Sequence, residues 1–101
     1  MRANRTAITL MRNEREETRP GVWEDSLTLR KVKARKERVF QRRRDQAMLE
    51  GLVINARFKV RSDLIDGTVD YVEWRGARYK VHQVIPDDNG HYVAIEIGEM
   101  V

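Results

Sequence analysis

Residues 72–85, VEWRGARYKVHQVI, carry the pattern from which the fold can be inferred. Apolar or aromatic residues alternate with polar ones on both sides of Arg75-Gly76, as in two strands joined by a tight turn. Because side chains of a strand point alternately to its two faces, one face should enter a core. The residues expected on that face are Val72, Trp74, Tyr79 and Val81. The residues expected on the outer face are Arg75, Arg78 and Lys80.

Similar alternation recurs along the rest of the chain, in segments separated by turn residues. We predict strands over residues 6–12, 22–34, 52–60, 69–74, 77–85 and 91–97. Nothing in the spacing suggests βαβ units. The fold class predicted is therefore mainly β: one domain, residues 1–101, forming a small antiparallel β-barrel or sandwich of about six strands.

The segments between these strands predict the connections. Residues 13–21 are charged and end in Pro20-Gly21, which favours a polar loop or turn. Residues 35–51 predict a long, flexible basic loop between the second and third strands, with a helical turn or two near 44–50. Residues 62–68 predict a short turn, and Asn89-Gly90 predicts a hairpin.

Within the segment 22–34, the apolar residues change from odd-numbered to even-numbered positions. Leu27 and Leu29 share one face of a strand, whereas Val32 and Ala34 share the other. A β-bulge between the two pairs would bring all four residues to the same side of a long bent strand.

Charge is distributed unevenly along the 101 residues, whose net charge is +4. The stretch from Arg30 to Arg44 contains nine basic residues and one acid, whereas the chain from Pro86 onward contains four acids and no Lys or Arg. This layout suits either a nucleic-acid partner or like subunits that pack basic edge against acidic edge. The charged N-terminus and the lack of a long apolar run argue against a signal peptide and a membrane partner.

Residue types needed for catalysis or metal binding are scarce. The chain has two histidines, His82 and His91, and no cysteine. No serine adjoins a base in a recognisable motif, and the acidic turn at 87–90 lacks the Glu that would complete a calcium loop. We therefore expect no enzyme activity, no catalytic residues, no cofactor and no metal site.

The basic segment is the candidate for contact with DNA. Cations in a projecting loop bind phosphates without reading sequence. The candidate residues are Arg35, Lys36, Arg38, Arg42, Arg43 and Arg44. The alternatives are a solvated loop and a loop that docks on an acidic partner.

The tryptophans and tyrosines have structural interpretations as well as functional ones. Trp74 and Tyr79 are in phase with apolar neighbours, which favours core packing over a base-stacking platform. Trp23 follows Pro20-Gly21-Val22, where it would plug one end of the barrel or anchor another subunit. We favour the plug.

Taken in order, these segments resemble the head–tail joining proteins of long-tailed bacteriophages, the small adaptor or stopper subunits. The resemblance runs through most of the chain: ITLMR, then PGVWED, then FKVR and SDLID, then VEWRGARYKVHQVI. The arginine-dense 42–44 segment is a departure from the typical member. The positions that the resemblance marks as fold-defining are Trp23, Arg61, Trp74, Gly76, Tyr79 and Val81.

The resemblance implies a structural role without chemistry. Such subunits form a homo-oligomeric ring below the portal that closes or extends the DNA channel and presents a surface for tail attachment. The partners implied are portal or connector proteins, tail proteins and the packaged DNA, at the head–tail junction of a virion assembled in the bacterial cytoplasm. Segment 35–51 would be the channel-facing loop, ordered on assembly. Two alternatives stay open: a nucleic-acid-binding barrel that uses residues 30–44, and a tail-terminator-type joint protein.

Overall fold

A computed structural model describes residues 5–101, which fold as a closed antiparallel β-barrel with one short helix on its wall. The strands follow one another around the barrel in the order β1-β2-β3-β6-β5-β4. Their bounds are β1 Arg5–Arg19, β2 Val22–Glu37, β3 Ala56–Arg61, β4 Tyr71–Trp74, β5 Ala77–Pro86 and β6 Tyr92–Met100. Helix α1 spans Gln41–Leu49, and a 3-10 turn spans Ser62–Leu64. The predicted fold class is confirmed.

The barrel interior is built from the alternating apolar residues of all six strands. Phe58 is fully buried and meets Trp74 edge to face, with ring centroids 5.2 Å apart. Tyr79 packs against the same tryptophan, with centroids 6.2 Å apart. Such aromatic pairs add about 0.5–1.5 kcal/mol beyond their area burial. The inward face predicted for residues 72–81 is therefore confirmed.

The Arg75-Gly76 turn has the geometry that a two-residue hairpin requires. Trp74 pairs with Ala77, and both central residues have positive φ, 52° at Arg75 and 76° at Gly76. This is the sign pattern of a type I′ turn, whose twist matches that of the flanking strands. The Arg75 guanidinium lies 4.5 Å from the Trp74 ring centroid, a cation–π contact.

Strand β1 is much longer than the alternation indicated, ending at Arg19 and not at residue 12, whereas β2 extends three residues beyond its predicted end. Their pairing runs without a shift from Arg5 opposite Arg35 to Glu17 opposite Trp23, so the polar loop predicted at 13–21 is wrong. Only Pro20-Gly21 forms the turn. Both faces of this outer segment are exposed, and a strand exposed on both faces shows no alternation of apolar and polar residues.

The bulge predicted within 22–34 is also wrong. Leu29 pairs with Met11 and Val32 with Ile8, in one unbroken register. Leu27 and Leu29 therefore lie on the face opposite Val32 and Ala34, outside the barrel.

Beyond the barrel wall, β1 and β2 continue as a two-stranded ribbon. The second neighbour of β1 is β4, which pairs only at Thr9–Met11, and the second neighbour of β2 is β3, which pairs only at Arg35–Glu37. The projection elongates the molecule to 52 × 32 × 29 Å, with a radius of gyration of 15.1 Å. A compact chain of this length would have about 13 Å.

The segment predicted as a basic loop is mostly regular structure. Strand β2 extends to Glu37, and the helical turns expected near 44–50 belong to a nine-residue helix that begins at Gln41. The helix ends where Gly51 takes a φ of 77° and the Leu52 N–H donates to the Ala47 carbonyl. Strand β3 starts at Ala56 and not at residue 52. No helix of residues 5–101 has the length and apolar character to cross a membrane.

Candidate functional site

The outer part of the ribbon exposes an apolar stripe, defined as Trp23, Leu27 and Leu29. The three side chains alternate along β2 on the face that turns away from the barrel core, and they are 52%, 40% and 59% exposed. Trp23 thus does not plug the barrel. It lies near the tip of the ribbon, opposite Glu17, where the Arg15 guanidinium lies 5.8 Å from its ring centroid.

The opposite face of the ribbon is acidic. Glu16 and Glu24 stand directly across from each other, and neither takes part in an ion pair within residues 5–101. Like charges directly opposite each other on neighbouring strands are destabilising. Glu14, by contrast, lies 2.6 Å from Arg12, and hydrogen bonds from Arg12 and Thr28 hold its pKa below the ordinary value.

A groove with basic walls opens where β2 diverges from β3. It measures about 750 Å³ and begins beyond the last rung of the β2–β3 pairing, Arg35 opposite Lys59. Five of its cations come from β1 and β2: Arg5, Arg30, Lys31, Lys33 and Arg35. Its lining contains no carboxylate and includes Leu64 and Tyr92. We call this cleft the basic groove.

The cations of the basic groove fall into two groups. Lys59 and Arg61 on β3 have acidic neighbours, Asp87 at 3.4 Å and Asp63 at 2.6 Å. The five on β1 and β2 make no ion pair within the described residues. Arg5 and Arg35 even face each other across the two strands. The groove therefore carries a local excess of positive charge that no acid within residues 5–101 neutralises.

A buried carboxylate attaches helix α1 to the outside of the barrel. Glu96 of β6 is fully buried and accepts two hydrogen bonds from Arg43, 2.9 Å from Nη2 and 3.2 Å from Nε. Gln83 donates a third at 2.7 Å, and Arg57 a fourth at 3.3 Å. Burial alone would raise the pKa of Glu96, but the hydrogen bonds and charges of these donors outweigh it and hold the pKa below its ordinary value.

A glycine next to this carboxylate makes room for a histidine. A Cβ on Gly98 would overlap Nε2 of His82, so the imidazole occupies the space over the glycine. The same nitrogen is 2.9 Å from the Val53 carbonyl oxygen, which ties the segment before β3 to β5. His82 therefore has a structural position on the barrel wall.

The six cations predicted to face DNA are divided among different environments. Arg43 binds Glu96, and Nη1 of Arg44 donates to the Ile54 carbonyl at 2.8 Å. The other four are placed as follows: Arg35 in the basic groove, Lys36 5.2 Å from the Trp74 ring centroid, Arg38 5.5 Å from that of Phe40, and Arg42 exposed on α1. Basic residues that are neighbours in the sequence therefore make different contacts in the structure.

Sequence reasoning missed Glu96 and the acidic face of the ribbon. A single acid in the apolar strand HYVAIEI was a usable signal for a buried, paired carboxylate. Nothing in the sequence indicates that Arg43, 53 positions away, is the partner of this carboxylate. Within residues 5–101 no cluster of His, Asp and Glu side chains could hold a metal ion.

Comparison with protein-family models, with curated proteins and with solved structures finds no match to this chain. The arrangement defines a class by its fold: a small closed antiparallel barrel with a projecting ribbon and a basic groove. The function of the chain is therefore argued from these surfaces.

Proposed function

We propose that this chain is a structural subunit of a phage head–tail connector ring, an adaptor or stopper that closes or extends the DNA channel below the portal. The observation that carries the proposal is that the ribbon formed by β1 and β2 projects from the barrel and is exposed. An isolated two-stranded ribbon is only marginally stable in water, and this one also exposes the apolar stripe. A partner chain that covers the stripe would stabilise the ribbon and remove the apolar side chains from water.

The sequence resemblance supports the same conclusion. Its marked positions have coherent places in the barrel: Trp74 and Tyr79 pack in the core, and Gly76 forms the hairpin turn. Trp23 stands on the ribbon, where its exposed indole suits the subunit anchor that was the second interpretation of this residue. Aromatic side chains are enriched in the buried centres of protein interfaces.

Contact with the packaged DNA is assigned to only part of the basic segment. Arg38 and Arg42 are exposed beside or on α1, whereas Arg43 binds Glu96 of β6 and Arg44 donates to the Ile54 carbonyl in the segment before β3. In the proposed ring, Arg38 and Arg42 meet DNA phosphates without reading sequence. Replacing these two residues with Glu should impair DNA retention in virions and leave the fold intact.

The basic groove favours a second candidate function, nucleic-acid binding by the isolated barrel. Cations without acidic partners are the usual electrostatic footprint of such proteins. A gel-shift titration over a series of salt concentrations separates the two functions. Tight, steeply salt-dependent binding by the single chain would support the nucleic-acid binder.

The decisive experiment mixes the purified chain with the portal encoded in the same genome and images the product by electron microscopy. We expect an additional ring on the portal. The Leu27→Ser/Leu29→Ser variant, which alters only exposed side chains, should fail to form it. Absence of any portal complex, together with tight binding to DNA, would overturn the connector function.

A further inference from the structure

We propose that the outer part of the ribbon of one copy binds in the basic groove of a second copy of this chain. The inference deepens the proposed function and rests on it, since a ring needs a repeated contact between like subunits. Ribbon and groove are different surfaces of one molecule, so the contact is head-to-tail. Such heterologous contacts close into rings when the rotation between subunits allows it.

Charge complementarity is the first argument for this occupant. Glu16 and Glu24 face each other on the ribbon without an ion-pair partner in the described chain. The β1 and β2 cations of the groove also lack acidic partners, and Arg5 faces Arg35. Seating the acidic face in the groove would relieve like-charge repulsion on both sides at once.

The open backbone edges are the second argument. Between residues 22 and 34, the edge of β2 that faces away from β1 is not paired with any strand in the described structure. The outer residues of β1 likewise have β2 as their only strand neighbour. Exposed edges are templates for strand addition, in which main-chain hydrogen bonds supply affinity. A second ribbon can supply such an edge.

The apolar part of the groove is the third argument. Leu64 and Tyr92 line it together with the cations, and the tip of the ribbon exposes Val22 and Trp23 next to its acids. Nucleic acid would neutralise the cations, but it would leave the open backbone edge of β2 unpaired. The second copy is therefore the occupant that the surface chemistry favours.

Charge reversal on each side tests the contact by sedimentation over a range of protein concentrations. The wild-type chain should associate, and more weakly at high salt. Glu16→Lys/Glu24→Lys and Lys31→Glu/Lys33→Glu should each sediment as the 11.9 kDa monomer. An equimolar mixture of the two variants should regain association, because a reversed ribbon then meets a reversed groove.

Two controls match the changes in net charge at exposed positions outside the ribbon and the groove. Glu50→Lys/Glu99→Lys and Arg75→Glu/Lys80→Glu should associate like the wild type. Circular dichroism of each variant confirms that the barrel is folded.

Several outcomes overturn the inference. They are a wild-type monomer at every concentration, undiminished association of both charge-reversed variants, and a groove variant that loses DNA binding while its association is unchanged. The last result would make the groove a nucleic-acid site. Charge-dependent association without binding to the portal would support the ribbon–groove contact and overturn the head–tail function.

Discussion

Arg43 on α1 and Glu96 on β6 form a two-point ion pair across the barrel wall, although 53 positions separate them in the sequence. The carboxylate is fully buried, and the side chain of the arginine is 24% exposed. Because of this pair, one arginine of the basic segment stabilises the fold and is not free to bind a partner. The pair also holds the pKa of the Arg43 guanidinium above its ordinary value, through the hydrogen bond to Glu96.

Replacing Arg43 should therefore destabilise the fold, whereas replacing its neighbour should not. Arg43→Gln leaves a buried carboxylate with fewer donors, and loss of a charged hydrogen bond costs about 1.5–3 kcal/mol. Arg42→Gln changes an exposed side chain, with an expected effect within about 0.5 kcal/mol. Urea unfolding measures both. Equal midpoints for the two variants would contradict the assigned role of Arg43.

Acid should weaken the fold through Glu96. The pKa of Glu96 is lowered in the folded chain, so the unfolded chain binds the proton more readily. The stabilisation is present above the ordinary carboxyl pKa of the unfolded chain and is lost as the pH falls through the lower, folded-state pKa. The free energy of unfolding, measured at a series of pH values, should decline in that window.

The control for this pH effect is Glu96→Gln, which removes the titrating group. Glu14, whose pKa is also lowered, continues to titrate in the variant. The variant should be less stable at neutral pH and show a shallower decline in acid. A slope identical to that of the wild type would place the acid sensitivity elsewhere.

A methyl group at Gly98 should destabilise the barrel by steric conflict. The new Cβ would overlap the His82 ring at Nε2, so the imidazole must leave its place on the wall. Overpacking of this kind typically costs about 1–3 kcal/mol. A double-mutant cycle with His82→Ala tests the cause: the Gly98→Ala penalty should largely disappear when the ring is absent. A full penalty in that background would point to the backbone instead.

The unbroken β1–β2 register predicts opposite outcomes for two neighbouring apolar residues. Val32 is 6% exposed and Leu29 is 59% exposed. Val32→Ala should cost about 1–3 kcal/mol in unfolding free energy, and Leu29→Ala within about 0.5 kcal/mol. These values are measured on the dissociated chain, at concentrations below any association. A large cost for Leu29→Ala would indicate that a bulge turns this residue inward.

The alternating hydrophobicity of residues 72–85 was enough to predict the hairpin, its inward face and the barrel class. Local steric rules act there over a few residues, and Gly76 supplies a positive φ that other residues adopt at a cost. The same rules could not predict the length of the ribbon. Its pairing depends on two exposed strands that support each other, and the outer part of β1 shows no hydrophobic period.

The functional surfaces depended on contacts between distant parts of the chain. The tertiary fold brings Arg43 to Glu96 and withdraws it from the cluster that its sequence neighbours suggested. It sets Glu16 against Glu24, and it opens the basic groove where the residues of β2 that precede Arg35 diverge from β3. Local sequence dictates which residues can share a strand face. Long-range packing determines which of those faces meet one another and which remain available to a partner, because that outcome depends on the arrangement of all six strands together.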